Sequence, residues 1–482
     1  MTSKKHSYIG RKAINATAES YRVVKELNAD RSNSRGPNVE VDYYFQTLNT
    51  DKPMDGLKNA AKMVLEHGTL KSWHNEGDAR VSKPAGYDDN ISWATGLKLF
   101  EYSRKEGVES GAITIAYPLT FFDKTGNGTF PMAQLMMAIA SEPVSAFSFY
   151  LGAKITDIRL PAELRKRLPG VLWPHKRVRE YLKIGPTDPI IGTIVKPKTG
   201  LTPELFSRAV VEAALAGARF TKADENMHLT LKEIPKFVGR TVRDSEQAGF
   251  DLGKISDYAG RSPLRRTQSE KPKGKRFLFA PHITADAKNM PAYAKAAIDA
   301  GANALMFSPY YGGGFPMMAE IAQTFDVPVY AHTAGMNFLT GCPTWGIDPS
   351  VMYLFSAYFG AAFMQLTVIR GYLKPDDTEK TVILRRLTKK NLQGNNGMTL
   401  VIAGGIGAGN IGFNMKALGT EGRMFLAGTS VYSHPDGVTS GVKAIFLAHR
   451  AYQEESLTEV KNLIKFGKAL GKEGEPLVNV LR

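Results

Sequence analysis

The sequence predicts an α/β protein in which a C-terminal (β/α)8 barrel follows a smaller α+β domain of ferredoxin-like type. Three observations carry this expectation. From residue 190 onward a short β-branched or apolar run is followed by a helical pattern, eight times in succession. Alternating β and α elements build a parallel sheet, because parallel neighbours need a crossover connection. Eight such units in about 250 residues satisfy a closed barrel, with an open doubly wound sheet as the alternative. Before residue 150 the pattern is different, with alternating strand-like runs and isolated helical stretches that suit an antiparallel sheet.

The elements follow in order. Residues 1–37 read as a basic tail. In the domain at 38–150, VEVDYYFQTL (39–48) and AITIAYPLTFF (112–122) are strand-like. MDGLKNAAKMVLEHG (54–68) has helical spacing with a glycine stop, and TFPMAQLMMAIASEP (129–143) is an apolar helix. Residues 151–189, rich in Pro, Arg and Lys, read as a connector. The barrel, with its C-terminal helices, occupies 190–482. Its strand runs are 190–198, 219–225, 276–284, 304–310, 327–335, 363–369, 399–405 and 424–430. Helix candidates between them are 204–218, 290–301, 315–325, 348–360 and 376–387.

Composition sets the outer bounds. Apolar residues make up 43% of the 482 and charged residues 22%, which is enough to bury a core and excludes global disorder. No apolar run reaches the roughly 18–20 residues of a membrane helix. A single cysteine, Cys342, excludes an intrachain disulfide and a Cys-rich zinc site. It fits a reducing compartment, and a cytoplasmic location is expected. The N-terminus lacks a secretory apolar stretch. Its basic, Ser-containing composition hints at organellar targeting, and its three acids argue against it.

The net charge of +16 invites a nucleic-acid reading that its distribution weakens. Residues 1–36 hold eight Lys/Arg against three acids, and 261–276 hold seven against Glu270. These two segments account for most of the excess and carry neither interleaved aromatics nor a nucleic-acid motif. They read as solvated basic segments, or as weak binders of polyanions. No specific nucleic-acid or membrane partner is expected.

In barrels of this kind the chemistry sits at the C-terminal ends of the strands. Those ends here are Lys196 and Lys198, then Lys222, Asp224 and Glu225, then His282, Tyr310, His332 and Thr333, and finally Gly404, Gly405, Gly428 and Thr429. In KADE (222–225) two carboxylates and a lysine end a buried strand. Such oxygen donors suit Mg2+, although acids also collect at helix entries. A free Lys222 ammonium would repel the metal, so it joins only when deprotonated or converted to an anion such as a carbamate. The two lysines of KPK (196–198) share one face of an extended segment, to bind an anion, move a proton or simply meet solvent. The glycine runs AGGIGAGNIG (403–412) and AGT (427–429) follow strands seven and eight, the usual phosphate site of this barrel class. The same stretch contains GxGxxG at Gly407, Gly409 and Gly412. A dinucleotide site needs an acid about 20 residues later, and Glu421 comes too soon. His332 is a core histidine or a proton-transfer group near the metal. His434 reads as a loop cap.

GTIVKPKTGL (192–201) followed by FTKADEN (220–226), then PVYAHTAG (328–335), VIAGGI (401–406) and AGTSVYSHPDG (427–437), resembles the RuBisCO large-chain superfamily in order and spacing. AYPLTFF (116–122) and LEHGTLKSW (65–73) match its N-terminal domain, and the resemblance spans 40–475. It implies that Lys222 becomes carbamylated by CO2, that Asp224 and Glu225 complete a Mg2+ site, and that Lys196 and Lys198 move protons and polarise substrate. It places His332 beside the substrate and gives Gly404, Gly405, Gly428 and Thr429 to a phosphate site. Glu66 would reach a neighbouring subunit's site, which implies a homodimer or a multiple of dimers.

Several positions depart from a carboxylase. Strand five ends in His332-Thr333 where the family's carboxylases have His-Arg, and Gln365 stands at the strand-six histidine. Tyr372 stands at the loop-six lysine, with Lys374 displaced by two. Gln134 stands near the metal-contacting asparagine, and Ala403 at the serine before the strand-seven glycines. Thr333 and Gln365 carry no charge for a second phosphate. The resemblance is therefore to a RuBisCO-like protein (form IV), an enolase, isomerase or tautomerase acting on a phosphorylated keto-sugar or a sulfur-salvage ketose monophosphate. A ribulose-bisphosphate carboxylase, a sugar-phosphate decarboxylase and a non-catalytic regulatory descendant are the alternatives.

Overall fold

The structure is a computed structural model that describes residues 37–49, 51–53, 55–67, 95–119, 128–185, 188–252, 274–369, 383, 384, 387 and 397–482. Its strands, in chain order, are β1 (Asn38–Leu48), β2 (Thr95–Lys105), β3 (Val108–Pro118), β4 (Tyr150–Arg159), β5 (Ile190–Ile194), β6 (Phe220–Lys222), β7 (Leu278–Ala280), β8 (Leu305–Phe307), β9 (Val329–Ala331), β10 (Trp345–Ile347), β11 (Ala361–Thr367), β12 (Thr399–Ala403) and β13 (Arg423–Ala427). The chain divides into two units. One comprises residues up to 168 together with 336–352, the other 169–335 with 353–482.

The first unit holds a sheet of order β10-β4-β1-β3-β2, antiparallel except for the parallel pair of β10 and β4. In β1 the period of two is plain, since Val39, Val41, Tyr43 and Phe45 are all fully buried. Helix Asp55–His67 buries Leu57, Ala60, Ala61 and Val64, the i, i+3, i+4, i+7 stripe of an amphipathic helix. Two features correct the sequence expectation. Residues 151–189 are not a bare connector, because all of β4 but its first residue lies there and pairs with β1 along most of its length. The segment 336–352, expected within the barrel, supplies β10 to this sheet.

The second unit is the eight-stranded parallel sheet β7-β6-β5-β13-β12-β11-β9-β8, one strand for each expected run. The ring closes between β7 and β8, where His282 bridges Met306. There Ile283 N donates to Met306 O at 3.0 Å and Met306 N donates to Pro281 O at 2.9 Å. Closure removes the exposed edges an open sheet would carry. The strands read as continuous apolar runs because both faces are buried. Aromatic side chains fill the interior, with the Phe220 ring 5.1 Å from Phe363 and 5.7 Å from Tyr330. Outside the sheet, helix Pro203–Leu215 is started by Thr202, whose side chain accepts from Leu205 N, and it buries Phe206, Val210, Ala213 and Ala214. The helix candidate 376–387 lies almost wholly outside the described residues. No helix among those described is long and apolar enough to cross a membrane.

Three buried imidazoles give this unit an acid sensitivity. Burial pushes His175, His282 and His449 down to about 4 each. Unfolded histidines take up protons near pH 6.5, whereas these folded ones do so only near 4. Stability is therefore complete above about pH 6.5 and falls as the pH drops toward 4. The urea midpoint is expected to fall between pH 7 and pH 5, by on the order of 1–2 kcal/mol per imidazole. An unchanged midpoint contradicts this.

Candidate active site at the strand ends

The C-terminal ends of β5 and β6 bring one charged cluster together. Lys196 Nζ is ion-paired with Asp224 Oδ2. Lys198 Nζ lies 4.0 Å from Asp224 Oδ1 and 3.8 Å from Glu225 Oε1. Lys222, the last residue of β6, is fully buried, with Nζ 3.8 Å from Glu225 Oε2 and donating to Ala223 O at 3.1 Å. Burial pushes its amine down to about 8, although Glu225 and Asp224 pull the other way. Burial raises the Asp224 carboxyl, but hydrogen bonds from Lys196 and the Asn226 backbone outweigh it and hold the group below its ordinary value.

His332, just beyond β9, completes the cluster. Its Nδ1 accepts from Ala334 N at 3.1 Å, so the ring proton resides on Nε2, which faces Glu225 Oε2 at 3.4 Å. Burial, reinforced by Lys222, holds the imidazole well below its ordinary pKa and therefore neutral. Through Glu225, His332 thus joins the charged residues of the two strand ends.

The glycines lie on the neighbouring strands. Gly404 and Gly405 follow β12 with φ of +88° and +114°, a backbone that side-chain-bearing residues rarely adopt. The loop is held by Asn410, which accepts from Gly407 N at 3.0 Å and donates to Gly405 O at 2.8 Å. Gly428 and Thr429 follow β13, and Ser430 Oγ ties this loop to Ile406 O at 2.6 Å. A Cβ on Gly428 would touch Lys196 Cε at 3.4 Å, which sets the glycine loop against the lysine of β5. Gly441 supports that loop from behind. A Cβ there would stand 2.3 Å from Val431 O and 2.7 Å from Val431 Cα. Gly441→Ala is expected to destabilise the protein by about 2–3 kcal/mol in thermal melts, and an unchanged melting temperature contradicts the packing.

Three residues of the cluster have no clear mark in the sequence. Asn226 donates to Asp224 Oδ1 through its backbone N at 3.0 Å and its side-chain Nδ2 at 3.3 Å, and only its place two residues after an aspartate hints at such a turn. Tyr330 donates to Gln365 Oε1 at 2.8 Å and lies under Lys222, whose Nζ is 5.5 Å from its ring centroid. The His228 ring lies 5.9 Å from that of His282. Elsewhere His434 caps its loop as expected, with Nδ1 accepting from Asp436 N at 3.0 Å. Gly412, part of the GxGxxG match, serves packing, since a Cβ there would meet Leu457 O at 2.9 Å. Gln134 is exposed on helix Met132–Ile139 in the first unit. Glu66 is on helix Asp55–His67, but its side chain lies outside the described residues, as do Tyr372 and Lys374.

The donor set fits a hard divalent cation once one condition is met. Among the described residues no three His, Cys, Asp or Glu side chains gather as a ready-made metal site. Asp224 and Glu225 are one anion short, and the amine beside them is Lys222, buried and largely deprotonated only above about pH 8. Addition of CO2 to that amine would supply the missing oxygen ligands.

A closed β/α barrel with its charged cluster at the carboxyl ends of its strands is the class of protein these observations define. The family model for the ribulose bisphosphate carboxylase large chain, catalytic domain, matches residues 176–244 and 262–473, and the chain belongs to that family. It is 26% identical over 389 residues to a ribulose bisphosphate carboxylase of Methanocaldococcus jannaschii, covering 76% of this chain and 85% of the relative. It is 27% identical over 345 residues to a 3-oxo-isoapionate-4-phosphate decarboxylase of Rhizobium rhizogenes, covering 70% and 74%. It is 25% identical over 414 residues to a 2,3-diketo-5-methylthiopentyl-1-phosphate enolase of Bacillus thuringiensis, covering 84% and 92%. In three dimensions it is similar to the octameric RuBisCO of Pyrococcus horikoshii, with a TM-score of 0.72, 19% identity and coverage of 92% of this chain and 93% of the other.

Proposed function

We propose that the protein is a Mg2+-dependent enolase or tautomerase that removes a proton next to the carbonyl of a phosphorylated ketone. The observation that carries this reading is Lys222, a fully buried amine brought down to about 8 by burial, 3.8 Å from Glu225 and within the field of Asp224, Lys196 and Lys198. A lysine placed there for stability alone would be a poor choice, because its burial weakens its charge.

Lys222, as its carbamate, with Asp224 and Glu225 would hold the ion, which when bound polarises a ketone and its neighbouring hydroxyl and makes the adjacent C–H bond acidic. Lys196 Nζ, set between Asp224 and the Gly428 loop, is placed to move the proton at that carbon. Lys198, half exposed, presents a cation to the negative charge that develops on the oxygens. Neutral His332 donates from Nε2 without adding charge. The backbone N–H groups of the 404–405 and 428–429 loops orient one phosphate. Thr333 and Gln365 offer no cation for a second, which favours a monophosphate over a bisphosphate. The relatives are named as an enolase, a decarboxylase and a carboxylase of phosphorylated ketones, and enolisation suits the residues present here. The assembly that suits this reading is a dimer or a multiple of dimers, with Glu66 contributed across subunits.

The test offers three compounds to the protein with Mg2+ and bicarbonate in deuterium oxide: 2,3-diketo-5-methylthiopentyl 1-phosphate, 3-oxo-isoapionate 4-phosphate and ribulose 1,5-bisphosphate. Deuterium uptake beside the carbonyl of a monophosphate, without 14CO2 fixation into ribulose bisphosphate, is expected. Acid-stable 14C product would make the protein a carboxylase. No Mg2+ binding by calorimetry and no exchange would make it a non-catalytic descendant.

A further inference from the structure

At the other end of the barrel, where strands begin, the second unit carries a cavity that no function above uses. It measures about 410 Å3 and opens to solvent beside the starts of β5 and β6. Sites for small molecules run from ~300 to 1,000 Å3. Asp188 and Pro189 lie immediately before β5, and Arg219 immediately before its neighbour β6, with Arg219 N donating to Ile191 O at 2.8 Å. Helix Gly437–Glu455 forms the opposite wall, where Phe446 and His449 stand one turn apart.

Three of the lining side chains have hydrogen-bonding capacity left over. Asp188 is exposed and accepts from Gly185 N through Oδ2 at 2.8 Å, while its Oδ1 has no hydrogen-bond partner among the described residues. Arg219 is half-buried. Its Nη1 reaches Arg276 O only at 3.4 Å, and no carboxylate is ion-paired with it among the described residues. His449 is 6% exposed, and neither ring nitrogen is hydrogen-bonded among the described residues. Burial keeps this imidazole neutral at pH 7, although the charge of Asp188 pulls the other way. Opposite charges thus line one cavity without meeting. An anion alone would lie against Asp188, and a cation alone against Arg219. A molecule carrying both charges satisfies both walls. Ile184, Pro189 and Phe446 supply an apolar surface for the rest of it.

We propose that this cavity binds a free α-amino acid with an apolar side chain, its carboxylate on Arg219, its ammonium donating to Asp188 and His449, and its side chain against Ile184, Pro189 and Phe446. The planar guanidinium suits a carboxylate, which it can hold with two parallel hydrogen bonds. The site lies where strands start, apart from the strand-end cluster, and does not depend on the reaction proposed there.

Two measurements on the full chain test it. In calorimetry, at least one of L-leucine, L-isoleucine and L-phenylalanine is expected to bind. For leucine, 4-methylpentanoate lacks the ammonium and isoamylamine lacks the carboxylate, and each is expected to bind at least ~10-fold more weakly. The same loss is expected for the amino acid itself with Arg219→Gln and with Asp188→Asn, whose amide oxygen keeps the acceptor for Gly185 N. A crystal structure of the unmutated protein with the bound amino acid is expected to show its carboxylate on Arg219, a readout that stands even if a variant does not fold. No binding by any of the three amino acids, equal affinity for the singly charged analogues, affinity unchanged in both variants, or an amino acid seated elsewhere would overturn the proposal.

Discussion

Lys222→Met is expected to abolish deuterium exchange at the α-carbon of whichever ketone monophosphate the unmutated protein enolises, a loss of at least ~1000-fold. Methionine keeps the volume of the stem and its contact with the Tyr330 ring, so the fold survives. It removes the buried amine at the end of β6, 3.8 Å from Glu225 Oε2, whose pKa burial brings down to about 8. Lys222→Arg distinguishes a positive charge from a reactive amine, because a guanidinium keeps the charge and does not take up CO2; the same loss is expected. Activation by bicarbonate has a pH dependence fixed by the same residue. CO2 adds to the deprotonated amine, so the activated fraction is expected to rise as pH increases through about 8, well below the ordinary lysine range. Exchange that survives either substitution, or activation independent of pH between 7 and 9, contradicts the role given to Lys222.

Asp224→Asn is the second large effect. Asp224 is 2% exposed and accepts from Lys196 and Asn226. The amide preserves shape and removes the charge that balances Lys196 and helps hold Lys222. Leaving those cations without this partner is expected to destabilise the protein by about 3–5 kcal/mol in denaturant melts without Mg2+. The variant is also expected to lose the stabilisation that Mg2+ with bicarbonate gives the unmutated protein. Asn226→Ala is the matched control: the backbone donor to Asp224 remains, and the change is expected to stay within about 1 kcal/mol. Equal stability and an equal Mg2+ response in Asp224→Asn would remove the carboxylate from the proposed site.

The barrel was legible because its strands are buried on both faces and therefore announce themselves as unbroken apolar runs, each followed by helical spacing. The six residues Lys196, Lys198, Lys222, Asp224, Glu225 and His332 were legible for a related reason: charge at the end of a buried strand is costly unless it is used. What escaped depends on tertiary pairing. β10 is three residues long, with Gly346 at φ +90°, and is a strand only because β4 lies beside it. β4 was hidden in a stretch rich in Arg, Lys and Pro, where composition masked the alternation of YLGAKITDIR. Tyr330 reads as a core aromatic; the pairing of β9 with β11 brings its hydroxyl to Gln365, and the curling of the sheet sets its face beneath Lys222.

The most direct measurement is 13C NMR of the full protein supplied with 13C-bicarbonate and Mg2+. One carbamate resonance, gained with Mg2+ and missing from Lys222→Met, is the result required if a CO2-modified lysine completes the cation site. A spectrum without that resonance, or one in which it persists after Lys222 is replaced, contradicts the mechanism at its root.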